Sequence, residues 1–156
     1  MKTSTSGASH RVFLDSNLLV CAYDRSEPQK QAHARTVIQA LACARIGVVS
    51  PQVLAEFFVT VTRKLKEPLF PEDAIEQLAC HLQLWRVVES SGLMVLEAAN
   101  AVRKHRLNFW DAQIWAAARL NKVPIVLSED FSHDTVLEGV RFVNPFAADC
   151  RLERWL

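Results

Sequence analysis

Val12-Phe13-Leu14-Asp15-Ser16-Asn17 decides the plan of this chain: three apolar residues stop abruptly at a carboxylate and two small polar side chains. A short apolar run bounded by a polar turn fits a buried strand better than a helix. Val48-Val49 and Ile125-Val126-Leu127, the latter led by Pro124, have the same character. Val87-Val88 reads as a brief strand or a link, and Arg141-Phe142-Val143 as a last short edge strand before Asn144-Pro145 turns the chain.

Helical patterns fill the intervals. Ser26-Glu27-Pro28-Gln29 resembles a capping box with proline at the first helical position. His33, Val37, Ala40, Leu41 and Ala44 follow at helical spacing, with Gly47 as the expected stop. Ser50-Pro51 caps a helix presenting Leu54, Phe57, Phe58, Val61 and Leu65 to a core. Pro68 and Pro71 open another, with Ala74, Ile75, Leu78, Leu82 and Trp85 as its apolar face. Leu93, Leu96, Ala99 and Val102 mark the next, and Asn108 caps an alanine-rich helix with Asp111 in its first turn. Strands separated by crossover helices imply an α/β fold: a three-layer α/β/α sandwich around a short, mainly parallel sheet. The helices between Pro51 and Val87 look like a hairpin inserted into that plan.

At 156 residues the chain fits one domain, expected over residues 11–148. Met1 to His10 reads as a flexible polar lead-in rather than a signal peptide, and residues 149–156 as a tail. A 50% hydrophobic fraction argues against disorder, while charge interrupts every apolar run, so no membrane span is expected. Cys21, Cys43, Cys80 and Cys150 lack metal-site spacing and read as free thiols in the reducing cytoplasm, Cys43 and Cys80 as small hydrophobes. Net charge is only +1, so nucleic-acid binding needs a local patch. Arg63, Lys64 and Lys66 form one candidate; Arg103, Lys104 and Arg106 around His105 form another.

In open α/β sheets, sites form beyond the carboxyl ends of the strands. Asp15 follows the first strand directly, Asp130 follows Leu127-Ser128-Glu129, Asp111 opens a helix, and Glu56 lies early in the helix after Val48-Val49. All four should project from one sheet edge. Gathered carboxylates repel unless a cation offsets them, and magnesium or manganese, hard ions that favour oxygen, suit that role. Asp15 is the direct-ligand candidate, with Asp111 and Asp130 binding directly or through water. Glu56 orients water or holds a second ion. Asn17 and Ser128 offer neutral oxygens to the metal surroundings or to a substrate phosphate. Taken singly, each acid also reads as a cap, a helix-dipole partner or a solvated group, Asp111 most clearly. As a set they suit metal-assisted phosphodiester hydrolysis, with one and two ions both open.

Phe13-Leu14-Asp15-Ser16-Asn17, Ser50-Pro51-Gln52-Val53-Leu54-Ala55-Glu56, Asn108-Phe109-Trp110-Asp111 and Leu127-Ser128-Glu129-Asp130 resemble, in order, the four acidic segments of the PIN domain family. Arg141 to Phe146 resembles its closing strand. The resemblance spans nearly the whole chain and includes the VapC-type toxins of toxin–antitoxin pairs. It implies that Asp15, Glu56, Asp111 and Asp130 form a magnesium or manganese site that cleaves RNA endonucleolytically. It also implies a homodimer and a small antitoxin partner, with Trp85, Trp110, Trp115 and Trp155 divided between core and contact surface. Relatives commonly carry glycine soon after the fourth segment, where this chain has His133-Asp134. Asp134 is either a further carboxylate on the rim or, preferably, the cap of a following helix. Glu129 reads as structural, and the five histidines as surface or partly packed, with His133 alone near the site.

Two other classes compete. A phosphatase with a nucleophilic aspartate would want a second aspartate where Asn17 stands, and a phosphate-accepting signalling domain would want a lysine after a late strand, whereas Lys122 precedes it. A non-catalytic RNA- or protein-binding domain of this fold gains nothing evident from clustered acids.

Overall fold

The computed structural model describes residues 10–156; the expected lead-in, His10 excepted, lies outside the described residues. Six strands form one sheet: β1 (Val12–Leu14), β2 (Gly47–Val49), β3 (Arg86–Val87), β4 (Ile125–Leu127), β5 (Thr135–Leu137) and β6 (Val140–Val143). Their order is β3-β2-β1-β4-β6-β5, parallel throughout except for the β5–β6 pair. Every residue of β1, β2 and β4 is buried, as strands covered on both faces require. The chain runs from β1 outward to β2 and β3, then crosses back to place β4 on the other side of β1. That reversal opens a crevice between the carboxyl ends of β1 and β4.

The helices are α1 (Ser16–Cys21), α2 (Pro28–Ala44), α3 (Pro51–Arg63), α4 (Pro71–Leu84), α5 (Gly92–His105) and α6 (Phe109–Leu120). Their starts are locally encoded. Ser50, Ser91 and Asn108 accept hydrogen bonds from the backbone N–H groups of Val53, Met94 and Trp110, each cap contributing about 1 kcal/mol. Helices α5 and α6 pack together, and Ala98 and Ala101 of the first and Ala112 and Ala116 of the second are buried. Trp115 and Trp85 are core residues, whereas Trp110 is exposed.

Several expectations change. α1 follows Asp15 at once, where a turn was expected. α2 begins at Pro28 without a side-chain cap, because Ser26 bonds Asp24 instead. Gly47 does not stop α2; Arg45 does so in the left-handed conformation, and Gly47 begins β2. In α5 the inward residues are Met94, Ala98 and Ala101, leaving Leu93 and Leu96 exposed, because the Ser91 cap and the alanine contact with α6 set the helix rotation. Ile75 and Leu82 of α4 are likewise exposed. Cys43 and Cys80 are exposed rather than buried, and all four thiols are free. His81 is buried: its Nδ1 accepts from Trp85 Nε1 at 3.0 Å, and burial pushes its pKa down to about 4.

The expected edge strand β6 is interior, because an unforeseen strand β5 covers it. A two-residue turn, Glu138-Gly139, joins them with both residues at positive φ, as tight hairpins require. No helix follows Asp134, so it caps none. In the C-terminal tail a single 3-10 turn, Leu152–Arg154, leads to Trp155, whose ring lies 5.5 Å from the Arg141 guanidinium.

Candidate active site

Asp15 directly follows β1 and is the N-cap of α1. Its backbone N–H donates to Leu127 O of β4, so the carboxylate stands at the crevice between the two strands. One oxygen, Oδ1, accepts from Ser16 N at 2.7 Å; the other, Oδ2, accepts from Ser128 Oγ at 2.7 Å. Ser128 is fully buried and its hydroxyl is saturated, also accepting from Asn17 Nδ2 and Asp130 N, each at 3.1 Å. Asn17 donates to Asp130 Oδ2 at 3.1 Å as well, and its own Oδ1 is buried without a partner among the described residues. Glu56 projects from the second turn of α3, where Oε2 accepts from Ser16 Oγ and Oε1 from Gln52 Nε2, both at 2.8 Å.

The electrostatics tie the four acids together. Burial is the main reason that the Asp15 pKa rises to about 6; Ser128 and Ser16 oppose the rise, while Asp130 and Glu56 add repulsion. Burial also raises Asp111, again with repulsion from Asp130 and Glu56. None of the four forms an ion pair with a cation among the described residues. Their hydrogen-bond donors are neutral hydroxyls, amides and backbone groups. Such a cluster lacks a counter-charge that the protein itself does not provide.

Hydrogen bonds thus link Asp15, Glu56, Asp130, Asn17 and Ser128 into one cluster, and Asp111, at the start of α6, is near enough to feel repulsion from Asp130 and Glu56. Asp134 does not join them. It sits in the left-handed conformation before β5, and its carboxylate pairs with Arg141. His133 turns away too, accepting from Asn144 N at 3.0 Å. Glu129 pairs with Lys30 beside the site. Two residues not singled out beforehand hold the arrangement. Ser16 links Asp15 to Glu56, and Gln52, one helical turn before Glu56, also donates to Trp110 O at 3.2 Å. The i, i+4 spacing of Gln52 and Glu56 was the available signal.

The PIN domain model matches residues 12–136, a span that contains all four acids. The chain belongs to the PIN domain family. No curated protein sequence matches it significantly. Among solved structures, its PIN fold is similar to a toxin–antitoxin complex from Klebsiella pneumoniae, with TM-score 0.63, 16% identity, and 86% of this chain and 98% of that chain covered. DNA-bound VapBC from Salmonella typhimurium gives TM-score 0.61 and 16% identity, covering 85% and 96%. The sarcin-ricin loop cleaving toxin VapC20 of Mycobacterium tuberculosis gives 0.57 and 16%, covering 74% and 86%.

PIN nucleases generally use divalent metal ions, and the donor set here suits such an ion: four carboxylates without a counter-cation and an unpartnered amide oxygen. Among the described residues no three acidic, histidine or cysteine side chains already form a ready cage for one ion. Magnesium does not need one, since it is typically held by one or two carboxylates and retained waters.

Proposed function

We propose that this PIN domain is a magnesium- or manganese-dependent endoribonuclease, the toxin of a toxin–antitoxin pair, acting in the cytoplasm. The observation that supports this reading is the hydrogen-bonded cluster of Asp15, Glu56 and Asp130 beyond the carboxyl ends of β1 and β4, without a counter-cation among the described residues and with Asp111 repelled by two of its members. In this reading Asp15, Asp111 and Asp130 would hold the ion directly or through water. The ion supplies neutralisation of phosphate charge and a more acidic water. Glu56, with both oxygens steadied by Ser16 and Gln52, would orient the attacking water and accept its proton. Asn17 and Ser128 fix the directions of Asp15 and Asp130. Asn17, as an amide donor to Asp130, disfavours the phosphatase that would need a second aspartate there. Asp134, engaged by Arg141, takes no part.

Purified protein incubated with total RNA should cut it when magnesium or manganese is present, stop on chelation, and resume when the ion is returned in excess. Failure with both ions would sink the nuclease reading, and tight RNA binding without turnover would favour the non-catalytic domain.

The protein partners in this proposal are a small antitoxin, as in the toxin–antitoxin neighbours, and a second copy of the chain. Exposed Phe70, Ile75 and Leu82 on and before α4, with Leu93 and Leu96 on α5, supply apolar surface for such contacts. Light scattering on the isolated protein should give twice the chain mass; a monomer at micromolar concentration would remove the dimer from the proposal.

A further inference from the structure

Beside Glu56 lies a cleft of about 440 Å³, lined by Ser16, Glu56, Val59, Thr60, Lys64 and Trp110. Hydrolysis of a phosphodiester at the carboxylates does not by itself call for an indole or an ammonium group here. Trp110 is 58% exposed, unusual for so large an apolar side chain. Its position is nevertheless well held: Phe109 packs edge-on against it at 5.4 Å between centroids. Gln52 binds its carbonyl with the same amide that binds Glu56. The indole and the carboxylate are thus coupled through one side chain, and Ser16 brings the cleft up to Asp15.

The cations around the site differ in what they are doing. Lys30, which shares a cleft with Ser16 and Asn17, is engaged by Glu129. Lys64, the C-cap of α3, is exposed and forms no ion pair among the described residues. Arg63 and Lys66 adjoin it in the chain. A polyanion approaching the carboxylates meets repulsion, so a cation lining the same cleft as Glu56 favours its approach. An exposed aromatic face and an unengaged ammonium lining one cleft match a base joined to a phosphate.

We propose that Trp110 and Lys64 form a nucleotide subsite for unpaired RNA next to the carboxylate centre, Trp110 stacking a base and Lys64 meeting a neighbouring phosphate. This rests on the ribonuclease reading and deepens it by assigning two residues of this chain to seating the substrate. A base inside a duplex has no face to offer the indole, so the target is a single-stranded or looped segment.

The test is binding of a fluorescently labelled mixed-sequence single strand in chelator, compared with the same strand annealed to its complement, followed by cleavage with metal restored. Trp110→Ala should weaken single-strand binding about tenfold or more and raise KM with little change in kcat. Trp110→Phe should retain most of the affinity. Lys64→Gln should weaken binding and lower its salt dependence by about one phosphate contact. Single-strand RNA should quench tryptophan emission in the wild type and much less in Trp110→Phe. Because Trp110 is exposed, unchanged melting of the variants will separate binding from folding. Wild-type protein that cuts RNA while Trp110→Ala binds and cuts equally well overturns the subsite and leaves the nuclease reading standing. Wild-type protein that neither binds nor cuts RNA overturns both.

Discussion

Asp15→Asn should lower metal-dependent RNA cleavage on the order of a thousandfold and at the same time make the metal-free protein more stable at neutral pH. The two effects have one cause. Asp15 is 3% exposed, and burial raises its pKa from 3.8 to about 6. Since the folded value lies above the unfolded one, folding is favoured most below about pH 4, where the group is protonated in both states. That advantage is lost as pH rises through 6, where the folded protein must carry a buried charge. A rise of that size corresponds to roughly 3 kcal/mol. Asparagine removes the charge and nearly keeps the shape. It forfeits charge-assisted bonds from Ser16 N and Ser128 Oγ, which brings the expected gain down to about 1–2 kcal/mol. Thermal melts in chelator at pH 7.5 should therefore favour the variant, and the difference should vanish towards pH 4. Magnesium should raise the melting temperature of the wild type and leave the variant almost unmoved. A variant less stable than wild type at pH 7.5 without metal would show that Asp15 is structural. Equal cleavage by the variant would remove it from the chemistry.

What was readable in the sequence was whatever depends on near neighbours or on chain order. Asp15 ends an apolar run, and Ser50 and Asn108 stand immediately before helical patterns, so their roles as strand end and caps follow locally. The meeting of Asp15 with Asp130 follows from parallel crossovers, which bring the carboxyl ends of β1 and β4 side by side. The features that escaped depend on partners distant in sequence. The inward face of α5 is set by contact with α6, and both candidate stripes are apolar, so spacing alone could not choose between Leu93 and Met94. The β5–β6 hairpin was hidden because Glu138-Gly139 lacks the usual asparagine or aspartate at its first position. Glu138 adopts φ 45° there while its carboxylate is held by Lys104 and His105. Asp134 departs from the expected helix cap for the same reason, since a hairpin strand rather than a helix follows it and Arg141 becomes its partner.

Gly47 illustrates this dependence on distant partners most sharply, and Gly47→Ala should be among the most destabilising single substitutions in the chain. Nothing about its backbone demands glycine, for it sits in regular parallel pairing opposite Val12. The constraint is space. A methyl group at this position would overlap the six-membered ring of Trp85, with Leu14 Cδ1 only 3.2 Å away on another side. Trp85 cannot easily move aside, being 4% exposed and bonded through Nε1 to buried His81. Overpacking of this kind costs about 3 kcal/mol, which for a domain of this size lowers the melting temperature by roughly 6–12 °C. Trp85→Leu alone should also destabilise, because it opens a cavity and leaves His81 Nδ1 without its donor. Combined, the two substitutions should cost less than their sum by about 1–3 kcal/mol, since the added methyl then occupies space the indole has left. Chemical denaturation of the four proteins of this cycle measures that coupling. Strict additivity, or a Gly47→Ala protein that melts with the wild type, would show that the ring yields and that glycine is not required beside it.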